Sequence, residues 1–367
     1  MKRQLSSLDL HYLLKELSVL KDSRVDKIYQ PEKNILIFSF YKSGVGKKLL
    51  KIDITGSLSL VEEKTGETLG FGMFLRKHLD NNYLYDISQI EPERILKFSF
   101  KSKDSKKNLY MELFGKGNAI LCDENDIILN SLEHHEFRDR TIKPKIKYKY
   151  PVMEYNMFKL SKKDLTELLK NTKKDSLVIT LATGLGLGGI YSEEICSLSD
   201  IDKKKNPKSL ENKDIETIIN IISKIIKKKL EPVTYYQDNK IIDFSPFKLK
   251  IYEDNELKPM KTFSETISIF YSQFIEVKET AFDRKTKDLN RIIEEQKATI
   301  EDLRKKEQEA RKKGELIYNN FQLIEEILIE INKAAKKHSW KEIKAKLKGH
   351  KMIKEVNDKD KSVVVEV

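Results

Sequence analysis

The sequence predicts an α+β protein with a long helical arm, and three observations carry that prediction. Between residues 24 and 132 apolar and polar residues alternate with the period of strands, broken by Pro, Asn and Gly turns and by one helical stretch. From 161 to 229 the period becomes that of helices, arranged around a glycine cluster at 184–189. From about 262 to 348 there is no proline, and Gly314 alone interrupts the helix formers.

In order, residues 6–20 read as an amphipathic helix: Ser6 or Ser7 can cap it, and Leu10, Leu13, Leu14, Leu17 and Leu20 recur at helical spacing. Strands are expected at 24–30, 34–42 and 48–54, a short helix at 70–79, and strands again at 93–100, 108–115, 118–123 and 126–132. Hairpins with two helices, not alternating βαβ units, make this N-terminal domain mixed sheet and helix over residues 1–155. The polar, basic stretch 133–160 marks its edge. A second domain, 156–256, holds helices at 161–171, 175–183, 190–198 and 215–229, then a hairpin at 234–244 continued by a strand at 247–252.

Residues 257–348 form the arm. Leu289, Ile293, Ile300, Leu303, Ala310, Ile317, Phe321, Ile324, Leu328, Ile331 and Ala335 fall on steps of three and four, a coiled-coil seam weakened by Gln296, Glu307 and Gly314. About 70 helical residues would make an arm of roughly 100 Å. A lone seam has nothing to bury itself against. The expectation is either a return helix from a longer protein or a homodimer through this arm. Residues 349–367 read as the start of a strand-containing segment, with SVVVEV lacking a partner strand after it.

Composition narrows the chemistry. The 367 residues carry 70 Lys and Arg against 58 Asp and Glu, a net charge of +12, which favours a polyanionic partner. Over 284–351 there are 19 basic against 12 acidic residues, an excess of seven. The clusters Arg304-Lys305-Lys306 and Arg311-Lys312-Lys313 would suit sequence-blind contact with nucleic-acid phosphates. Cys122 and Cys196 are too few for a four-cysteine zinc site or a disulfide framework, and the histidines have no metal-ligand spacing, so no metal and no cofactor are expected. No apolar run approaches membrane-spanning length and no export signal opens the chain, so a cytoplasmic protein without membrane contact is expected. Phosphate-binding Gly-Lys-Ser/Thr loops, HExxH and nucleophile elbows are absent.

The sharpest local signal is LVITLATGLGLGGIYSEEIC at 177–196. Helix, glycine turn, helix is the layout of a helix-hairpin-helix module. Gly184, Gly186, Gly188 and Gly189 could turn the chain and bare amides toward a phosphate at the start of the second helix. The plain alternative is a tight turn whose glycines serve close packing.

That segment is similar to the helix-hairpin-helix core of the NFACT family of ribosome-associated quality-control factors, the RqcH and NEMF type. SSLDLHYLLKEL (6–17), GFGMFLRKHLDN (70–81), ELFGKGNAILCDENDIILNSL (112–132), Arg140 to Pro151, TFSETISIFYSQF (262–274) and HSWKEIKAKL (338–347) resemble further family segments in the same order. The resemblance implies a fold like that of formamidopyrimidine-DNA glycosylase for the N-terminal domain. It also implies a binding role without catalytic residues: engagement of obstructed large ribosomal subunits, recruitment of tRNA (alanyl-tRNA in many lineages), and template-free C-terminal tailing of the stalled chain. The family's Asp-Arg pair for tRNA matches Glu93 and Arg94, the acid here being one methylene longer. Arg76 and Lys77 on the second helix are further candidates beside the nucleic acid.

Two other classes compete. A DNA-repair glycosylase or abasic-site lyase would need an N-terminal Pro-Glu and zinc-finger cysteines, whereas this chain opens Met1-Lys2-Arg3. A surface adhesin would fit the fibronectin-binding label of bacterial relatives, and would need an export signal.

Overall fold

The first helix, α1 (Ser7–Leu17), organises the fold, here in a computed structural model that describes residues 4–366 except 63–65, 67, 104, 152 and 275–280, with backbone alone for 281–288. Ser6 caps α1. Its hydroxyl accepts the Asp9 N–H at 3.1 Å, and the Asp9 carboxylate accepts the Ser6 N–H at 2.8 Å. Leu8, Leu10, Leu13 and Leu17 are fully buried, each worth about 1.5–3 kcal/mol of transfer free energy. Met1, Lys2 and Arg3, which bear on the glycosylase alternative, lie outside the described residues.

The strands expected after α1 are β1 (Ser23–Glu32), β2 (Ile35–Lys42) and β3 (Gly46–Asp53), joined by an unexpected β4 (Ser57–Val61). α2 (Gly70–Leu79) falls where helical spacing put it. Next come β5 (Tyr83–Gln89), also unexpected, then β6 (Ile95–Lys101), β7 (Lys106–Glu112), β8 (Asn118–Asp123) and β9 (Ile128–Ser131). These nine strands form one sheet in the order β4-β3-β2-β1-β5-β6-β7-β8-β9, antiparallel throughout. It is two meanders joined where Ser23 and Arg24 of β1 face Leu84 and Tyr83 of β5. The α+β class is borne out.

Both faces of the sheet are covered. Leu36, Phe38, Phe40, Leu96, Phe98, Leu109, Met111 and Leu121 pack into the main core with α1. On the other face Ile95, Tyr110, Ile120, Cys122, Ile128, Ile142 and Tyr148 make a smaller one. The short hairpin β10 (His135–Glu136) and β11 (Thr141–Ile142) brings Arg140 there. The Arg140 guanidinium grips both oxygens of Glu112, Tyr148 Oη donates to Glu112 at 2.8 Å, and the Phe137 ring lies 4.8 Å from the guanidinium.

The main core continues without a break past residue 155 into α3 (Lys162–Asn171), α4 (Leu177–Gly184), α5 (Gly188–Ser199) and α6 (Asn212–Lys227). Tyr12 of α1 reaches that region, donating to the carbonyls of Ile225 and Lys228. A three-stranded sheet follows: β12 (Val233–Gln237) between β13 (Lys240–Ser245) and β14 (Glu256–Pro259). The strand expected at 247–252 is instead a loop with a 3₁₀ turn at Lys250–Tyr252. Its Lys250 and Ile251 amides donate to the buried Glu194 carboxylate at 2.9 and 3.0 Å instead of to a ladder. α7 (Phe263–Ser272) runs beside β4: Ser264 Oγ accepts the Leu60 N–H at 3.0 Å, and Glu16 of α1 accepts the Phe263 N–H at 2.8 Å. Residues 1–276 thus make one unit.

The second unit, 277–367, holds α8 (Ala281–Asn319), α9 (Phe321–Ala335), α10 (Trp340–Lys346), β15 (Ile353–Asn357) and β16 (Ser362–Val365). The arm expected over 257–348, with Gly314 as its one interruption, is divided elsewhere. Gly314 stays helical, and the break falls at Asn320, with φ −111° and ψ 23°. SVVVEV does have a partner, and it lies upstream: β16 pairs antiparallel with β15. Ile331, Ile353 and Val356 bury each other there. Along α8, Leu289, Ile293, Ile300, Leu303 and Ile317 are exposed.

Candidate nucleic-acid interface

Glu93 and Arg94 sit at the corner between β5 and β6, just before the strand begins. Gln89 of β5 ties the corner to α1: its amide donates to Ser7 Oγ at 2.8 Å and to the Glu93 carbonyl at 3.0 Å. Arg94 is held from the other side. Its Nη1 donates to Gln4 Oε1 at 2.8 Å, and Gln4 Nε2 donates to the Thr55 carbonyl at 2.6 Å. The remaining N–H groups of Arg94 have no partner among the described residues. Burial lowers the Arg94 pKa while Glu93 opposes it; a guanidinium so placed stays charged. The Glu93 carboxyl is pushed up by burial, against the pull of the Met153 backbone amide, Arg94 and Arg140.

The glycine turn lies against this corner. Gly186 has φ +67° and Gly188 φ +76°, values that L side chains rarely adopt, so the turn from α4 into α5 needs glycine. A Cβ on Gly186 would come within 3.1 Å of the Met153 sulfur and 3.9 Å of the Pro92 carbonyl, so Met153 bridges Glu93 and the turn. One on Gly188 would meet Ser6, the cap of α1. Tyr191 of α5 donates to Asp9 at 2.5 Å and fixes the two helices together. The N-termini of α1 and α5 therefore adjoin Arg94, and their dipoles add positive potential there. Leu187, the N-cap of α5, gives no side-chain capping bond, and Gly189 beside it is exposed with open space around it. Gly184 does a different job: a Cβ there would stand 2.5 Å from Leu168, so it serves the packing of α4 on α3.

The other candidates are placed apart. Arg76 spends its fork inside the domain, Nε on the Ile28 carbonyl and Nη2 on Thr68 Oγ1, with its charge 5.4 Å from the Tyr29 ring. It fastens α2 to β1. Lys77 is exposed, and no contact among the described residues joins either to Arg94. On α8, Lys305, Lys306 and Arg311 pair with Glu301, Asp302 and Glu315 one turn away, while exposed Arg304, Lys312 and Lys313 have no ion pair among the described residues. Gln4, Gln89 and Met153 went unread in the sequence, because their roles are set by contacts with Arg94, Ser7 and Glu93, which lie 90, 82 and about 60 positions away in the chain. The described residues contain no cluster able to hold a metal ion, and no helix of theirs is long and apolar enough to cross a membrane.

The profile of the NFACT N-terminal and middle domains matches residues 6–363. The archaeal Rqc2 homolog aRqcH of Methanocaldococcus jannaschii is 30% identical over 394 aligned residues, taking in 100% of this chain and 58% of that protein. The human ribosome quality control complex subunit NEMF is 24% identical over 379 residues, 94% of this chain and 35% of that one. The chain thus spans between about a third and a little over half of these relatives. Among solved structures, the fibrinogen binding protein from Staphylococcus aureus matches with a TM-score of 0.60 at 22% identity, over 72% of this chain and 98% of that one. The N-terminal part of the fibronectin/fibrinogen-binding protein from Streptococcus suis matches at 0.59 and 22%, over 74% and 100%. These two likenesses concern the fold alone. From the profile match along nearly its whole length, the chain belongs to the NFACT family.

Proposed function

We propose that this chain is the tRNA- and ribosome-engaging part of a cytoplasmic ribosome quality-control factor, one that binds obstructed large subunits and supports template-free C-terminal tailing of the stalled chain. The observation that carries it is the convergence, at the N-terminus of α1, of Arg94, whose other N–H groups have no partner among the described residues, with Glu93 and the Gly186–Gly188 turn. Such a cradle suits the phosphates of a folded RNA. Backbone amides and a guanidinium hold phosphate oxygens without reading bases, so the site positions its ligand and leaves sequence recognition elsewhere. The relatives' names as quality-control factors point the same way. In this reading the chain supplies no catalytic group. It orients a tRNA, alanyl-tRNA being the first candidate, and the ribosome performs the transfer. The cations Arg304, Lys312 and Lys313, without an ion pair among the described residues, and their neighbours Lys305, Lys306 and Arg311 contact ribosomal RNA, and the exposed seam of α8 pairs with another helix, in a second copy or in a longer chain.

The test is crosslinking and sequencing of RNA bound to the natural protein in its own cells. Enrichment of one or a few tRNA species together with large-subunit ribosomal RNA is expected. Recovery of messenger RNA or DNA without either would overturn the reading.

A further inference from the structure

A cavity of roughly 720 Å³ opens between the β3–β4 hairpin and α7, entirely within the first unit and not used by the phosphate cradle described above. It is within the usual size range of small-ligand sites, about 300–1,000 Å³. The cavity arises because α7 lies along the edge strand β4, tied there by Ser264, while the outer face of the hairpin carries short polar side chains. Lys51 faces Ser59 across the strand pair, and Asp53 faces Ser57. Ser268, Tyr271 and Phe274 close the opposite side.

The chemistry of the lining selects a ligand. One Lys and one Asp cancel, so the cavity is not built for a phosphate. Lys51 has no ion pair or hydrogen bond among the described residues, and Ser59, 5% exposed, has no hydrogen bond from its hydroxyl. The Tyr271 hydroxyl is buried and also without a partner. Hydroxyls both donate and accept, which matches the mixed donor and acceptor edge of a neutral heteroaromatic ring. Phe274 and Tyr271 contribute aromatic rings to the lining, and stacking on aromatic rings is the usual way in which proteins seat a splayed base. The rim connects to the cradle: Thr55 lines the cavity, its carbonyl accepts from Gln4, and Gln4 accepts from Arg94.

We propose that this cavity receives one unstacked nucleobase of a nucleotide whose phosphate rests at Arg94. The phosphate half rests on the RNA-binding reading above; the base half stands on the cavity. The base comes either from a loop of bound RNA or from a free mononucleotide.

The experiment uses the whole chain and measures affinity by calorimetry for 5′-AMP, 5′-CMP, 5′-GMP and 5′-UMP separately, and for total tRNA by filter binding. Ser268→Phe and Ser57→Phe fill the cavity from opposite walls. Ser272→Phe, at an exposed position of the lining, replaces either one that fails to melt like the parent chain. Expected is binding of at least one mononucleotide, weakened about tenfold or more in the filled variants. A parallel loss of tRNA affinity identifies the RNA loop as the source, and unchanged tRNA affinity identifies the free nucleotide. If a mononucleotide binds and tRNA does not, the function proposed above falls and this inference stands. If tRNA binds but neither filling variant alters its affinity and no mononucleotide binds, this inference is overturned and the function stands.

Discussion

Arg94→Ala tests the cradle most directly. Gln4 already fixes the guanidinium through Nη1, so the other N–H groups meet a phosphate with little further loss of rotamer freedom. A hydrogen bond to a charged group contributes about 1.5–3 kcal/mol, and 1.4 kcal/mol is tenfold in affinity, so the expected loss of tRNA affinity is roughly 10- to 150-fold. Removing one phosphate contact also lowers the log–log salt slope by about 0.9. The fold loses one hydrogen bond, from the charged guanidinium to Gln4, at about 1.5–3 kcal/mol, so the thermal midpoint should drop by roughly 3–10 °C. Filter binding of tRNA at three salt concentrations, with exposed Lys77→Ala as the comparison, reads all of this. Equal affinity losses for the two variants, or an unchanged salt slope, would show that Arg94 serves the corner and not the ligand.

Three other outcomes are expected. Arg140→Met leaves the Glu112 carboxylate, 4% exposed in its side chain, without its cation and should destabilise the first unit by about 3–5 kcal/mol; a melting shift below about 2 °C would mean the pair is not a strut. Because burial raises the Glu93 carboxyl pKa, its contribution is most favourable below the unfolded carboxyl's pKa of about 4.3 and is lost as pH rises through the folded value. Glu93→Gln should therefore be more stable than the parent at pH 7, with the advantage gone near pH 3, and denaturant melts that show a pH-independent difference would contradict the assignment. For the arm, sedimentation should find dimers, or hydrogen exchange should find the α8 amides from 289 to 319 far less protected than those of the main sheet; a monomer with a fully protected α8 contradicts the unpaired seam.

Much of the fold was readable where local pattern and tertiary environment agree. The Ser6–Asp9 cap, α2 at 70–79 and the strands around Phe38 and Phe98 lie where period and turn residues place them. β5 was unreadable because a register shift between Leu84 and Asp86 spoils its alternation. The loop at 247–252 looked like a strand because Phe247 and Leu249 are buried; Glu194, more than 50 residues earlier, takes the amides that a ladder would have used.

The candidate site divides along the same line. Sequence by itself offered Gly184, Gly186, Gly188 and Gly189 for a tight turn able to bare amides, and the family resemblance added Arg94, since a permissive backbone and a guanidinium are properties of single residues. It also offered Arg76, whose fork the tertiary structure commits to Ile28 and Thr68. Only the folded chain decided which cations remain free, which amides adjoin them, and that a cavity opens beside them. The reason is that a hydrogen-bonding group can be spent once, and its partner is chosen by packing between segments that the linear order keeps far apart.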